Sequence, residues 1–151
     1  MTKIIVCRHA QDQAGGNLSD KGREQAKELG AHILTHSGEK ICICSSIAPR
    51  ARQTAEILAE VLGVVGLRYD EALGDIQGNP NVVSALSLVD AIQRDDLETI
   101  ILVSHMQAFE IVNALATRLE TMKRYNHALF GNGEAVVIDV ETKAFTHFRQ
   151  P

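Results

Sequence analysis

The sequence predicts an α/β protein, a three-layer α/β/α sandwich with a mostly parallel central sheet and an antiparallel edge hairpin. Three observations carry this. Short runs rich in Ile and Val recur along the chain, amphipathic helical patterns lie between them, and the last two runs are separated by only Glu141–Lys143. Continuous apolar runs read as strands covered on both faces. Strands alternating with helices imply parallel crossovers, whereas so short a connection suits a hairpin.

The strands are expected at Ile4–Cys7, Ile41–Cys44, Thr99–Val103 and Ala135–Val140, with a weaker one at Ala144–Phe148. After Ser19, an N-cap residue type, Ala26, Leu29, Gly30, Ile33 and Leu34 recur at helical spacing. Pro49 suits the first turn of a second helix, whose stripe is Ala51, Ala55, Leu58, Ala59 and Leu62 and whose stop is Gly63. Asn81 caps a third helix, with Val82, Ala85, Val89 and Ile92 inward. A fourth carries Ala108, Ile111, Val112, Leu115 and Leu119 on one face.

The chain has 151 residues, 45% hydrophobic, 23% charged and only 4% aromatic. That length fits one domain, 1–151, burying about 70% of its unfolded surface. No apolar stretch reaches the roughly 18 residues a membrane helix needs. The N-terminal run ends at Arg8, too soon for a secretory signal, so a cytoplasmic location and no membrane contact are expected. Fifteen basic residues against nineteen acidic ones, net −4, show no basic excess and give no sign of a nucleic-acid partner. Cys7, Cys42 and Cys44 all sit inside apolar runs and read as buried reduced thiols.

Three apolar runs end in polar residues of one kind. The first runs into Arg8 and His9, the second into Ser45, Ser46 and then Arg50, and the third into Ser104 and His105. The carboxyl ends of parallel strands line one edge of the sheet, where ligands bind. Two histidines and two arginines should therefore converge. Arginine forks match phosphate or carboxylate oxygens, and Arg50 falls in the first turn of a helix, which also favours anions. Histidine can serve there as nucleophile, base or proton donor, or as a hydrogen-bonded structural residue.

At these residues the sequence resembles the histidine phosphatase superfamily, the phosphoglycerate mutase-like fold. The R-H-G motif of that family appears as Arg8-His9-Ala10, and its S-x-L-x-R-A-x-Q-T-A signature spans Ser46 to Ala55. The late S-H-G strand end appears as Ser104-His105-Met106, and Leu18 to Ala26 resembles the start of the first helix. The resemblance implies that His9 is the nucleophile, that Arg8 and Arg50 clamp the phosphoryl oxygens, and that His105 donates to them. It nominates Glu71 as the general acid, with Asp75 as fallback and Asp70 behind it, and Asn17 as a further phosphate ligand. No metal and no cofactor are implied.

Two residues depart from the family pattern. Ala10 adds a methyl where backbone passes close to phosphate, and Met106 replaces a small residue beside the second histidine. The short stretch from about 72 to 96 is a minimal cap, similar to that of the small phosphohistidine phosphatases. Glu71 points instead towards phosphate esters. The expected function is therefore a metal-independent phosphatase acting on a phosphorylated small molecule or a phosphoprotein, through a phosphohistidine. A non-catalytic phosphate-binding or regulatory module on the same fold is the alternative, and a mutase ranks below both. His32 and His36, at i, i+4, read as surface histidines and not as a metal pair. His127 and His147 have no partner legible in sequence, and Arg52 reads as surface or ion-paired.

Overall fold

A computed structural model describes residues 2–93, 96–121, 124–125 and 130–151. The strands are β1 (Lys3–Arg8), β2 (Ile41–Ser45), β3 (Leu67–Tyr69), β4 (Thr99–Ser104), β5 (Ala135–Asp139) and β6 (Ala144–Phe148). Between them lie α1 (Asp20–Leu34), α2 (Pro49–Leu62), α3 (Val82–Gln93) and α4 (Ala108–Arg118), with a short 3-10 turn at Glu71–Leu73. The sheet order is β3-β2-β4-β1-β5-β6. The first four of these pair in parallel, whereas β5 runs antiparallel to both β1 and β6. The expected α/β sandwich with its edge hairpin is therefore what the chain forms. His127 lies outside the described residues.

Side chains alternate across the strands, so each strand feeds two cores. Ile5, Cys7, Ile43, Ile101 and Val103 pack with Leu29, Ile33, Ala55 and Leu58 of α1 and α2. Ile4, Val6, Ile100 and Leu102 pack with Ala85, Val89, Ile111 and Val112 of α3 and α4 on the other side. The helix boundaries follow local chemistry. Ser19 Oγ accepts the Gly22 N–H, Gly63 ends α2 in the left-handed region at φ 68°, and Asn81 Oδ1 accepts the Ser84 N–H. Among the described residues no helix is long and apolar enough to cross a membrane.

The strand β3 was absent from the sequence reading. Its Leu67-Arg68-Tyr69 is half-exposed to exposed, so this edge strand carries no apolar run. The cysteines form no disulfide; Cys7 and Cys44 are buried and Cys42 is half-buried, its Sγ 3.8 Å from that of Cys44. His32 and His36 lie with ring centroids 4.7 Å apart, and His32 stacks on Phe148 at 4.5 Å. That pair is packed against the edge strand. His147 lies 5.0 Å from the Tyr125 ring, and Arg52, exposed at the surface, sits over the Tyr69 ring at 4.4 Å.

The segment following β1 is clasped to the start of α1. Gln11 N–H donates to Gln25 Oε1 at 2.9 Å, Ser19 N–H donates to the Gln11 carbonyl at 3.0 Å, and Ser19 Oγ donates to Gln11 Oε1 at 2.9 Å. Gly22 lies so close to the Gln11 carbonyl that a Cβ there would collide with it. In most helices Gly→Ala stabilises by about 0.5–1 kcal/mol. Here Gly22→Ala should instead destabilise by about 1–3 kcal/mol, because overpacking forces backbone apart. Urea unfolding of the two proteins measures the sign directly.

Candidate active site

Three strand ends carry the site. His9 follows β1, with its N–H on the Ser104 carbonyl at 2.9 Å and its carbonyl on the Gly133 N–H at 3.0 Å. His105 follows β4, and Arg50 lies in the first turn of α2 behind β2. The parallel register of β1 on β4, which sets Arg8 opposite Ser104, brings the two histidines level. Their ring centroids are 5.2 Å apart, edge to face. Only 5% of His9 and 3% of His105 is exposed.

The hydrogen bonds assign the ring protons of His9. Its Nδ1 lies 2.7 Å from the Ala10 carbonyl, which can only accept, so Nδ1 carries the proton. The Nε2 lone pair then accepts from Arg50 Nε at 3.2 Å. Burial, with the Arg50 and Arg8 charges adding to it, lowers the His9 pKa to about 4, although the Ala10 bond and Asp12 oppose this. His105 is lowered to about 3 by burial first and then by His9 and Arg50. Both rings are neutral at pH 7.

Arg8 Nη1 donates to the Phe130 carbonyl at 2.8 Å. Among the described residues nothing hydrogen-bonds the buried Arg8 Nε or the buried His105 Nδ1. Burial lowers the Arg8 pKa, against the charges of Asp12 and Glu134. The segment Gly74–Gly78 lies over this cluster. The Gln77 carbonyl accepts from Arg50 Nη2 at 3.4 Å, and a Cβ on Gly78 would meet that nitrogen at 2.6 Å and His105 Nδ1 at 2.9 Å. Both glycines adopt positive φ, 148° and 92°. The Asp75 carboxylate holds the turn by accepting from the N–H groups of Gln77 at 2.9 Å and Asn79 at 3.1 Å. Those bonds lower its pKa.

The structure thus gathers His9, His105 and Arg50, with Arg8 charged beside both rings. Glu71 and Asn17 stand apart from that contact set. Glu71 is exposed at the start of the 3-10 turn and lines a cleft of about 480 Å³ shared with Asp70 and Asp75. Asp70 is committed to capping that turn, accepting the Ala72 N–H at 2.8 Å. Asn17 Oδ1 accepts from Gln53 Nε2 at 2.7 Å, and Gln53 Oε1 takes the Leu18 N–H at 2.8 Å. The Ala10 methyl is buried with Leu18 and Ala26, so it packs between elements. Met106 is 40% exposed.

A sequence profile described as the histidine phosphatase superfamily (branch 1) matches residues 4–80, which include Arg8, His9, Arg50 and Glu71. The chain belongs to the histidine phosphatase superfamily. Comparison with curated protein sequences finds no match. Among solved structures, this superfamily member is similar to the protein histidine phosphatase SixA complexed with tungstate. The TM-score is 0.72 at 17% identity, over 97% of this chain and 94% of that one. It is also similar to a putative phosphohistidine phosphatase SixA from Agrobacterium tumefaciens, with TM-score 0.66 and 20% identity over 99% and 98%. A phosphoserine phosphatase mutant from Entamoeba histolytica, in complex with phosphoserine, gives TM-score 0.62 and 19% identity over 99% and 96%. At these identities the likeness is one of fold.

Sequence reasoning left three site residues without a role, although the signature run contains them all. Ser46 bonds His105, Gln53 ties down the loop carrying Asn17, and Thr54 supports Ala10, the residue after His9. Thr54 Oγ1 is buried, accepts the Ala10 N–H at 3.0 Å and donates to the Arg50 carbonyl at 2.8 Å. Thr54→Val keeps the volume but orphans that N–H, a loss of about 1–3 kcal/mol. The variant should melt at a lower temperature than the wild type, as calorimetry would show.

Proposed function

We propose that this superfamily member is a metal-independent phosphatase that works through a phosphohistidine at His9. The observation that carries the reading is the fixed orientation of His9. Its Nδ1 proton is spent on Ala10, so the lone pair lies on Nε2 and faces Arg50, whose hydrogen bond to it would pass to a phosphoryl oxygen as Nε2 attacks. Nucleophilic catalysis needs that neutral, aimed nitrogen. Arg50 and Arg8 would take the phosphoryl oxygens, and the positive charge that stabilises the transferring group would come from them.

In the first step Nε2 attacks phosphorus in line as the bond to the leaving group breaks. Glu71 protonates the leaving oxygen, then takes a proton from the water that hydrolyses phosphohistidine and frees His9. Of the three acid candidates Asp70 is committed to its cap, and Glu71 suits proton transfer better than Asp75. Its carboxylate makes no hydrogen bond or ion pair among the described residues, whereas Asp75 is held as an anion by its own turn. Asn17 retains its amide N–H groups for phosphate, its oxygen being engaged by Gln53. The substrate is a phosphomonoester or a phosphohistidine protein. The short stretch from about 72 to 96, a minimal cap within a single domain, supports an open site that admits either, and a cytoplasmic setting is expected.

Hydrolysis of p-nitrophenyl phosphate in EDTA tests the reading. Activity should persist with chelator and vanish in His9→Ala. Glu71→Gln should slow a phosphomonoester about 10²–10⁴-fold while sparing a phosphohistidine protein, whose nitrogen leaving group needs less help. Protonation removes the Nε2 lone pair, so kcat/KM should fall as pH drops through about 4, and not through the usual histidine value of 6.5. Phosphate binding without turnover of either substrate class would leave a phosphate-binding module.

A further inference from the structure

Ser46 has a complete and directional set of hydrogen-bond partners. It is fully buried between β2 and α2, and its Oγ contacts three groups: the Gly74 carbonyl at 2.9 Å, His105 Nε2 at 2.8 Å and the Ala48 N–H at 3.2 Å. A serine hydroxyl has one proton and two lone pairs. The carbonyl can only accept and the amide can only donate. All three contacts are therefore satisfied in one arrangement alone: Ser46 donates to Gly74 and accepts from both Ala48 N–H and His105 Nε2–H. Turning the hydroxyl towards His105 would leave Gly74 with only the Ile47 N–H at 3.3 Å.

The consequence falls on the other ring nitrogen. Neutral His105 with its proton on Nε2 presents an unprotonated Nδ1, and that atom is buried with no partner among the described residues. A phosphoryl oxygen is an acceptor, so it cannot bond a bare Nδ1. We propose that Ser46 is a positioning residue that locks the His105 proton on Nε2, so that phosphoryl binding brings a second proton onto Nδ1. The proton comes from the phosphoryl monoanion or from solvent, and no other bond changes. His105 then donates through both nitrogens, to Ser46 and to the ligand. The proposal rests on the phosphoryl-site reading given above.

The groups facing His105 are consistent with this coupling. They are Arg8 at the end of β1 and His9 just after it, Arg50 from α2, Asp75 from the loop, and the Ser46 hydroxyl. Burial first, and then the neighbouring cations, keep the ring neutral, while Asp75 favours its charged form. A bound dianion adds attraction to the imidazolium and tips the balance.

The test uses sulfate, a tetrahedral dianion with no titratable proton near neutral pH, and protein carrying 15N-labelled histidine, with His105→Asn assigning the signals. Free wild-type protein should show His105 protonated at Nε2 alone, and the sulfate complex should show both nitrogens protonated. Because the complex holds one more proton, sulfate affinity should weaken about tenfold per pH unit as pH rises between the free and bound pKa values of His105. His105→Asn, which can place an amide N–H near the Nδ1 position without titrating, should flatten that slope. Ser46→Ala should give a mixture of the two neutral tautomers in the free protein, with its fold checked by its melting curve; if it does not fold, the wild-type spectra decide. A sulfate complex with His105 neutral and protonated at Nδ1, or a pH-independent affinity, would overturn the proton coupling while leaving the phosphatase reading intact. Absence of sulfate binding, together with absence of phosphatase activity, would overturn both.

Discussion

The hydrogen bond from His9 Nδ1 to the Ala10 carbonyl is the interaction on which the rest of the site depends. A neutral imidazole has one proton to place, and this carbonyl claims it. The remaining lone pair must then lie on Nε2, the nitrogen beside Arg50. A carbonyl can orient a ring only if it is itself held. The Ala10 N–H is anchored on Thr54, the Ala10 methyl is packed against Leu18 and Ala26, and the next residue is clasped by Gln25. Two helices thus hold one peptide in place, and that peptide sets a tautomer.

The second histidine obeys the same logic with a side chain in place of the carbonyl. Ser46 meets His105 Nε2, and its own proton is committed to Gly74. The two rings therefore present lone pairs towards one another's surroundings, His9 from Nε2 and His105 from Nδ1. Burial keeps both neutral, and the arginines reinforce this. The Gly74–Gly78 segment adds a constraint from above, since a Cβ on Gly74 would run into His105 and one on Gly78 into both His105 and Arg50. The chain's net charge of −4 does not describe this cluster, where Arg8 and Arg50 set a local positive charge.

Much of this was legible in the sequence, for identifiable reasons. The apolar runs that became β1, β2 and β4 end in charged or polar residues, and the parallel sheet converts sequence-distant strand ends into neighbours. That is why Arg8, His9, Arg50 and His105 could be grouped from pattern. The strand β3 was not legible, since an exposed edge of Leu, Arg and Tyr has no apolar signature. Nor were the roles of Ser46 and Thr54, because a buried hydroxyl is recognised by its partners, and the partners here are carbonyls and amides that every residue possesses. The Gln77 carbonyl on Arg50 is of the same kind. The packing of the Ala10 methyl against Leu18 and Ala26 was not legible either, since nothing in the motif marks which side of the backbone it takes.

The central claim is that His9 reacts through Nε2 because Nδ1 is engaged with Ala10. Brief reaction with a phosphoryl donor, denaturation at alkaline pH to preserve the phosphoramidate, and NMR of the digested protein would identify the modified nitrogen. The account requires one phosphohistidine, at His9, with phosphorus on Nε2. Phosphorus on Nδ1 of His9, or on any other residue, would contradict it.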